Sequence, residues 1–190
     1  MVDKTEFPSH PFWDFALPLH ETKGVGEAVI AMQDRHGVNV NVLLLSCWVG
    51  ATGRGRLGDE GVQKAIAAAE KWNRDVVQQL RNVRRVMRPG IPPIDKSISD
   101  SLRRRILEVE IDCERAEIVM LGQALDRAAR EGHPAEARAE DVAANLRDYF
   151  KALGKAPDQD DLAYMESLIT AAVPDIARSK GEAIAKALIQ

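Results

Sequence analysis

Four polar side chains capable of proton chemistry lie close together in the sequence: Asp34, His36, Asn39 and Asn41. An imidazole changes charge near neutral pH, so His36 could carry a proton while Asp34 orients it beside Asn41. The same residue types also suit a helix boundary, because His is favoured at helix C-termini and Asn caps helix N-termini. Since no nucleophile lies nearby in sequence, we favour capping. An enzyme built on Asp34, His36 and Asn41 is the weaker hypothesis.

A row of arginines with the i, i+3, i+4, i+7 spacing marks one face of a helix. It lies about 120° from an apolar row on the same helix, so we predict that the arginines are exposed while the apolar row faces the core. An exposed row of this kind suits an acidic protein partner or the acidic tail of the same chain, or it is simply a solvated face. Nucleic acid and anionic lipid are less favoured partners because the whole chain is acidic. The arginines are Arg81, Arg84, Arg85 and Arg88, and the apolar row is Leu80, Val83 and Met87.

Three tryptophans, Trp13, Trp48 and Trp72, are either core residues or the walls of a ligand cavity between helices. Both cysteines, Cys47 and Cys113, lie in apolar helical patterns, where a thiol stays protonated and unreactive. No Cys or His has the spacing of a metal site. We therefore expect neither a metal nor another cofactor.

The helices must position these residues, and the most apolar of them is predicted at residues 38–52. A segment that is apolar nearly all round must be enclosed by protein, so it is predicted to form the centre of the fold. A long helix follows from about residue 97 to 130, with apolar residues at the 4-3-4-3-4 steps of a coiled coil. That stripe, which favours a homodimer, is Leu102, Ile106, Val109, Cys113, Ala116 and Met120.

No alternating strand pattern is present, and the periodicity predicts an all-α bundle of about seven or eight helices. We expect a helical core domain over residues 1–130 and a C-terminal helical extension over 131–190, packed on that core or on a partner.

Composition agrees with this prediction, because 45% hydrophobic and 29% charged residues are ordinary for a soluble globular protein. The net charge of −3 conceals a local +6 over residues 81–105. The N-terminal residues lack the pattern of a signal peptide, and the apolar run at 38–52 is shorter than the roughly 20 residues that span a bilayer. We therefore expect a cytoplasmic protein without a transmembrane segment.

Several motifs in order resemble a bacterial family of uncharacterised function, DUF2390, over residues 11–125. The resemblance implies a helical fold and supplies no catalytic residues. Residues from about 134 onward lie outside it. The motifs are Phe12-Trp13-Asp14-Phe15, Gly24-Val25, Met32-Gln33-Asp34-Arg35-His36-Gly37, Asn39 to Leu45 with Trp48, then Trp72, Val76-Val77, Leu80-Arg81 and Val83-Arg84-Arg85, and the stretch from Glu108 to Leu121.

The leading hypothesis is a non-enzymatic interaction or adaptor protein that uses the arginine face, with another protein or a second copy of itself as the partner. The alternative is a hydrophobic small-molecule binder. Its pocket would include the three tryptophans together with Asp34, His36 and Asn41.

Overall fold

The computed structural model describes residues 5–125 and 127–189. Within them the chain is all-α with no strand, as predicted. There are nine α-helical segments, and because α4 and α5 are continuous through a π-helical turn, these form eight separate helices. No helix in the described residues is long and apolar enough to cross a membrane. The segments are α1 (Pro11–Glu21), α2 (Val25–His36), α3 (Val40–Ala51), α4 (Gly58–Trp72), the π turn (Asn73–Val77), α5 (Gln78–Val86), α6 (Lys96–Ala124), α7 (Ala135–Ala152), α8 (Leu162–Ala172) and α9 (Arg178–Leu188).

The apolar run forms α3 and lies at the centre of the fold, as predicted. Every residue from Asn41 to Ala51 is buried. Asn39 caps the helix, because its side-chain oxygen accepts hydrogen bonds from the backbone N–H groups of Asn41 and Val42 at 2.8 and 3.4 Å. A helix that is apolar on all sides can be stable in water only when other helices cover every side.

Helix α7 covers one side of α3 at very short range. A Cβ atom placed on Gly50 would lie 2.4 Å from the backbone nitrogen of Val142, so only glycine permits this crossing. Asn145, also on α7, is fully buried. Its side chain accepts from the Leu57 N–H at 2.7 Å and donates to the carbonyls of Ser46 and Gly55, which fixes the loop after α3. The apolar core extends from Phe12 in α1 to Leu188 in α9.

The long helix α6 runs antiparallel to the continuous helix α4–α5. Near its start, the Ser99 hydroxyl donates to the Met87 carbonyl at 3.3 Å. Further along, the Trp72 indole N–H donates to the Cys113 carbonyl at 3.0 Å. We call residues 78–112, which comprise α5, the connector and the first half of α6, the arm.

Candidate functional site

The π turn decides which residues of α5 face α6. The backbone N–H of Gln78 bonds to the carbonyl of Asn73, five residues back, and this inserts one extra residue into the helix. Consecutive residues of a helix are 100° apart around its axis. Each residue after the turn therefore points in the direction that the preceding residue would have had in an uninterrupted α-helix. Val77 is accordingly buried, whereas Val76 is only partly so.

The prediction for the arginine row is therefore wrong in its orientation. No residue of α5 is buried, and Val83, expected in the core, is 48% exposed. Arg81 and Arg84 occupy the inward positions instead, with side chains only 12% and 26% exposed. Arg85 and Arg88 remain exposed and form no ion pair within the described residues.

The inward arginines form a charged seam between α5 and α6, made of Arg81, Arg84, Glu110 and Glu114. Arg84 Nε lies 2.6 Å from Glu110 Oε2, and Arg81 Nε lies 3.1 Å from Glu110 Oε1. Arg81 also contacts Glu114 Oε1 at 2.6 Å and donates to the side-chain oxygen of Gln33 at 2.7 Å. Buried charges persist only when they are paired in this way. The seam therefore holds the arm together.

The two glutamates of the seam titrate differently. Burial alone would raise the pKa of Glu110, but hydrogen bonds from Arg84 and Arg81 outweigh it and the pKa is lowered. For Glu114 burial is the stronger effect, and its pKa is raised despite the contact with Arg81. Glu110 is thus held as a carboxylate by its two arginines.

Glu117 lies one turn after Glu114 on α6 and is fully buried among the side-chain amides of three asparagines. Asn39 Nδ2 donates to Glu117 Oε1 at 2.6 Å, Asn41 Nδ2 donates to Oε2 at 3.0 Å, and Asn73 Nδ2 donates to both oxygens. Burial raises the pKa of Glu117, although the amide hydrogen bonds oppose the shift. This cluster ties the π turn and the start of α3 to α6, so it supports the fold from inside.

The hypothetical proton-handling group is not assembled as the sequence suggested. His36 Nε2 lies 2.9 Å from Asp161 Oδ2, and this buried carboxylate also contacts Arg35 Nε at 2.8 Å. Asp161, rather than Asp34, is therefore the carboxylate that orients His36. Asn41 contacts Glu117, and Asp34 is exposed beside the cleft described below.

The three tryptophans do not surround one cavity. Trp48 is buried and stacks on Phe12 with ring centroids 5.2 Å apart. Trp13 lies under the guanidinium of Arg115 at 4.6 Å. Trp72 is 36% exposed at the base of the arm. Trp13 lines a cleft between helices, and neither Trp48 nor Trp72 lines this cleft or the cavity that adjoins it.

The cleft lined by Trp13 has a volume of about 470 Å³ and lies between α1, α2 and the arm. Its rim is apolar, and four of its side chains, Leu17, Ile30, Leu107 and Ile111, are more than a third exposed. A second cavity of about 510 Å³ adjoins it on the other side of Gln33 and Arg81 and is lined partly by Tyr149. Burial raises the pKa of Cys47 to about 12, which keeps this thiol protonated at neutral pH.

The opposite side of the arm carries an apolar surface, which we call the outer face. Val83 precedes Arg84 and Val109 precedes Glu110, and Leu102 lies one heptad before Val109 on the same side of α6. In a pair of antiparallel helices, the residue just before an inward-facing residue points to the same side of the pair on both helices. Of the twelve exposed large hydrophobic residues in the described part of the chain, nine lie within residues 83–111, and two of these nine, Leu107 and Ile111, belong to the cleft instead. The outer face consists of Val83, Val86, Ile98, Leu102 and Val109, with Trp72 at its base.

Comparison with known families gives one match. The model of a family described as a protein of unknown function, DUF2390, matches residues 11–121. The chain belongs to this family. The region of DUF2390 that matches contains the π turn, the charged seam, Glu117 and the outer face. It ends within α6, before α7. No curated protein and no solved structure matches the chain.

Proposed function

We propose that this DUF2390 protein is a non-enzymatic interaction module and that its contact surface is the outer face of the arm. The observation that carries the proposal is the concentration of exposed hydrophobic residues on this one hairpin. Scattered surface hydrophobics are ordinary, but a contiguous apolar surface marks an interaction site. Arg85 and Arg88 contribute only at the edge, because Arg81 and Arg84 are paired inside the seam.

The polarity of the arm supports the same proposal. Charged side chains occupy its inward positions at Arg81, Arg84 and Glu110, while five Val, Ile and Leu side chains are exposed on the outer face, whereas a solvated hairpin is expected to bury such apolar residues. Burying a side chain of this size is favourable by about 1.5–3 kcal/mol, so an unoccupied outer face leaves binding energy available to a partner.

Photo-crosslinking inside cells tests the proposal. A benzophenone amino acid at Leu102 is expected to give a discrete covalent adduct, because that side chain lies on the outer face. The same group at Lys186, exposed on α9, is the matched control and is expected to give none. Equal labelling at both positions, or no adduct at either, would contradict the proposal.

A second candidate function is the binding of a small amphiphile in the cleft of about 470 Å³. Apolar walls with a few polar groups at one end are typical of ligand sites, and this volume is within their usual range. Native mass spectrometry of protein from its own host is expected to show a bound adduct that an Ile111→Asp variant lacks. A clean apo mass for the unaltered protein would remove this candidate.

A further inference from the structure

We infer that the partner of the outer face is a second copy of this chain, docked with its α6 antiparallel to the first. This inference depends on the proposed function and identifies its partner. A two-fold interface must be self-complementary: if one residue contacts a second, the second must contact the first across the axis. The inference therefore depends on whether the outer face can match itself.

The apolar spacing of α6 meets that condition. Leu102 and Val109 of the outer face and the half-buried Ile106 and Cys113 beside them follow one another at steps of four, three and four residues, which is the same sequence of steps in both directions. An antiparallel pair then places Leu102 against Cys113 of the second copy and Ile106 against Val109 of the second copy. Each contact occurs twice, as the layers of an antiparallel coiled coil do.

Trp72 extends this contact beyond α6. Its indole is fixed by the hydrogen bond to the Cys113 carbonyl, and it is 36% exposed beside that residue. Leu102 of the second copy, placed against Cys113, therefore also reaches the face of Trp72. A rigid, partly exposed aromatic ring at the end of an apolar stripe is typical of the anchors in protein interfaces.

The charges beside the stripe complement each other in the same register. Arg105 and Asp112 lie on the flank of α6 that borders the outer face, one heptad apart. Neither forms an ion pair within residues 5–125 and 127–189. In the antiparallel register Arg105 lies next to Asp112 of the second copy, and the symmetry repeats the pair. Flanking charges of this kind set orientation and partner choice in coiled coils.

The alternatives fit less well. A basic apolar arm could lie on an anionic membrane, but Glu108 and Asp112 border the outer face and would be repelled by it. A parallel arrangement of the two α6 helices would bring Arg105 toward Glu110 of the second copy rather than toward Asp112, and Glu110 is buried and already paired with Arg81 and Arg84. The antiparallel copy both covers the apolar stripe and neutralises its flanks.

Sedimentation equilibrium of the full-length chain tests the inference. The unaltered protein is expected to have twice the chain mass of 20.9 kDa. Arg105→Glu turns two attractive contacts into repulsive ones and is expected to weaken the dimer by about tenfold or more. Combining Arg105→Glu with Asp112→Arg exchanges the charges and is expected to restore it. Arg104→Glu, an exposed neighbour on the other side of the helix, is the matched control and is expected to change nothing.

Four outcomes would overturn the inference. One is an unaltered protein that stays monomeric up to its solubility limit. Another is a dimer that Arg105→Glu weakens but the charge exchange does not restore. The third is a monomer that floats with phosphatidylglycerol vesicles and loses this property in Leu102→Asp. The fourth is a monomer whose crosslink at Leu102 captures a different protein. It would overturn the inference that the partner is a second copy, but it would leave the proposed function standing.

Discussion

The crossing of α3 with α7 and the pairing of α5 with α6 are held together by opposite means. Helix α3 presents apolar side chains in every direction and approaches α7 so closely that Gly50 lies against the backbone of Val142. The arm is joined by guanidinium–carboxylate contacts, and five of its hydrophobic residues are exposed on the outer face. The first contact derives its stability from excluded water and close packing, the second from charge pairing.

This difference distinguishes a region whose apolar surface is fully covered from a region whose apolar surface is left exposed. In the α3–α7 crossing every apolar surface already has a neighbour. In the arm, the π turn places arginines at the inward positions. The valines and leucines of the outer face are left without a packing neighbour. Burying a paired charge seldom stabilises more than an apolar replacement would, so the arrangement is costly for an isolated hairpin. The cost is offset if the outer face is covered in the functional assembly.

The largest effect is expected from filling the α3–α7 contact. Gly50→Ala places a methyl group 2.4 Å from the Val142 nitrogen, against backbone that cannot rotate away. Overpacking usually costs about 1–3 kcal/mol, and a clash with backbone is expected to exceed the upper end of that range. Urea unfolding of the variant should show a lower midpoint. On the monomeric Leu102→Asp background, Val83→Ala in the exposed outer face is the matched control, and a similar loss in both variants would contradict the comparison.

The next effect is expected where the core meets the arm. Glu117→Ala would leave the amides of Asn39, Asn41 and Asn73 without their buried acceptor. Each buried donor without a partner costs about 1–3 kcal/mol, and neighbouring amides can partly compensate one another, so we expect about 3 kcal/mol in total. The measurement is again urea unfolding. A loss below that of the exposed Glu108→Ala would show that the cluster is not structural.

Part of this arrangement could be predicted from the sequence. The enclosure of α3 follows from its lack of any polar side, and the cap at Asn39 follows from residue type. The orientation of α5 could not be predicted, since a one-residue insertion in a continuous helix leaves each local apolar pattern intact. A signal was present, however. The arginine row at Arg81, Arg84 and Arg88 follows the apolar row by one position throughout, and both rows have the spacing of an inward face.

The contacts of the candidate site were beyond sequence reasoning for another reason. Asp161 reaches His36 from 125 residues away, and Glu117 reaches Asn73 across 44 residues. Composition and periodicity indicate which residues face inward, but they do not indicate which inward residues meet. Asp34 was paired with His36 because it was near in sequence, and on the helix the two point in different directions.

Acid should loosen the arm before the core. The native pKa of Glu110 is below its ordinary value, so the unfolded chain takes up the proton more readily, and this stabilisation is lost as the pH falls through the native pKa. The contribution of Glu117 to stability depends on pH in the opposite direction. Its native pKa is raised, so its contribution declines as the pH rises through that range.

Amide hydrogen exchange compares the two regions directly. On acidification, protection corrected for intrinsic rates should fall in α5 while α3 and α7 remain protected. Glu110→Gln should reduce the protection of α5 at neutral pH and remove most of its further loss in acid. Simultaneous loss of protection in all three helices would show that the seam and the core are one cooperative unit.

The smallest effect on stability is expected on the outer face itself. Val83→Thr replaces an exposed methyl group by a hydroxyl, and surface changes of this kind usually remain within about 0.5 kcal/mol of the original protein. The monomer should therefore unfold at nearly the same urea concentration, measured on the Leu102→Asp background to keep the chain monomeric. On the unaltered background, the same substitution should weaken self-association. A hydroxyl that a partner covers loses its hydrogen bonds to water, whereas a hydroxyl exposed on the monomer keeps them. If Val83→Thr lowered the stability of the monomer as much as a core substitution does, Val83 would belong to the interior, and the contrast between the arm and the α3–α7 crossing would fail.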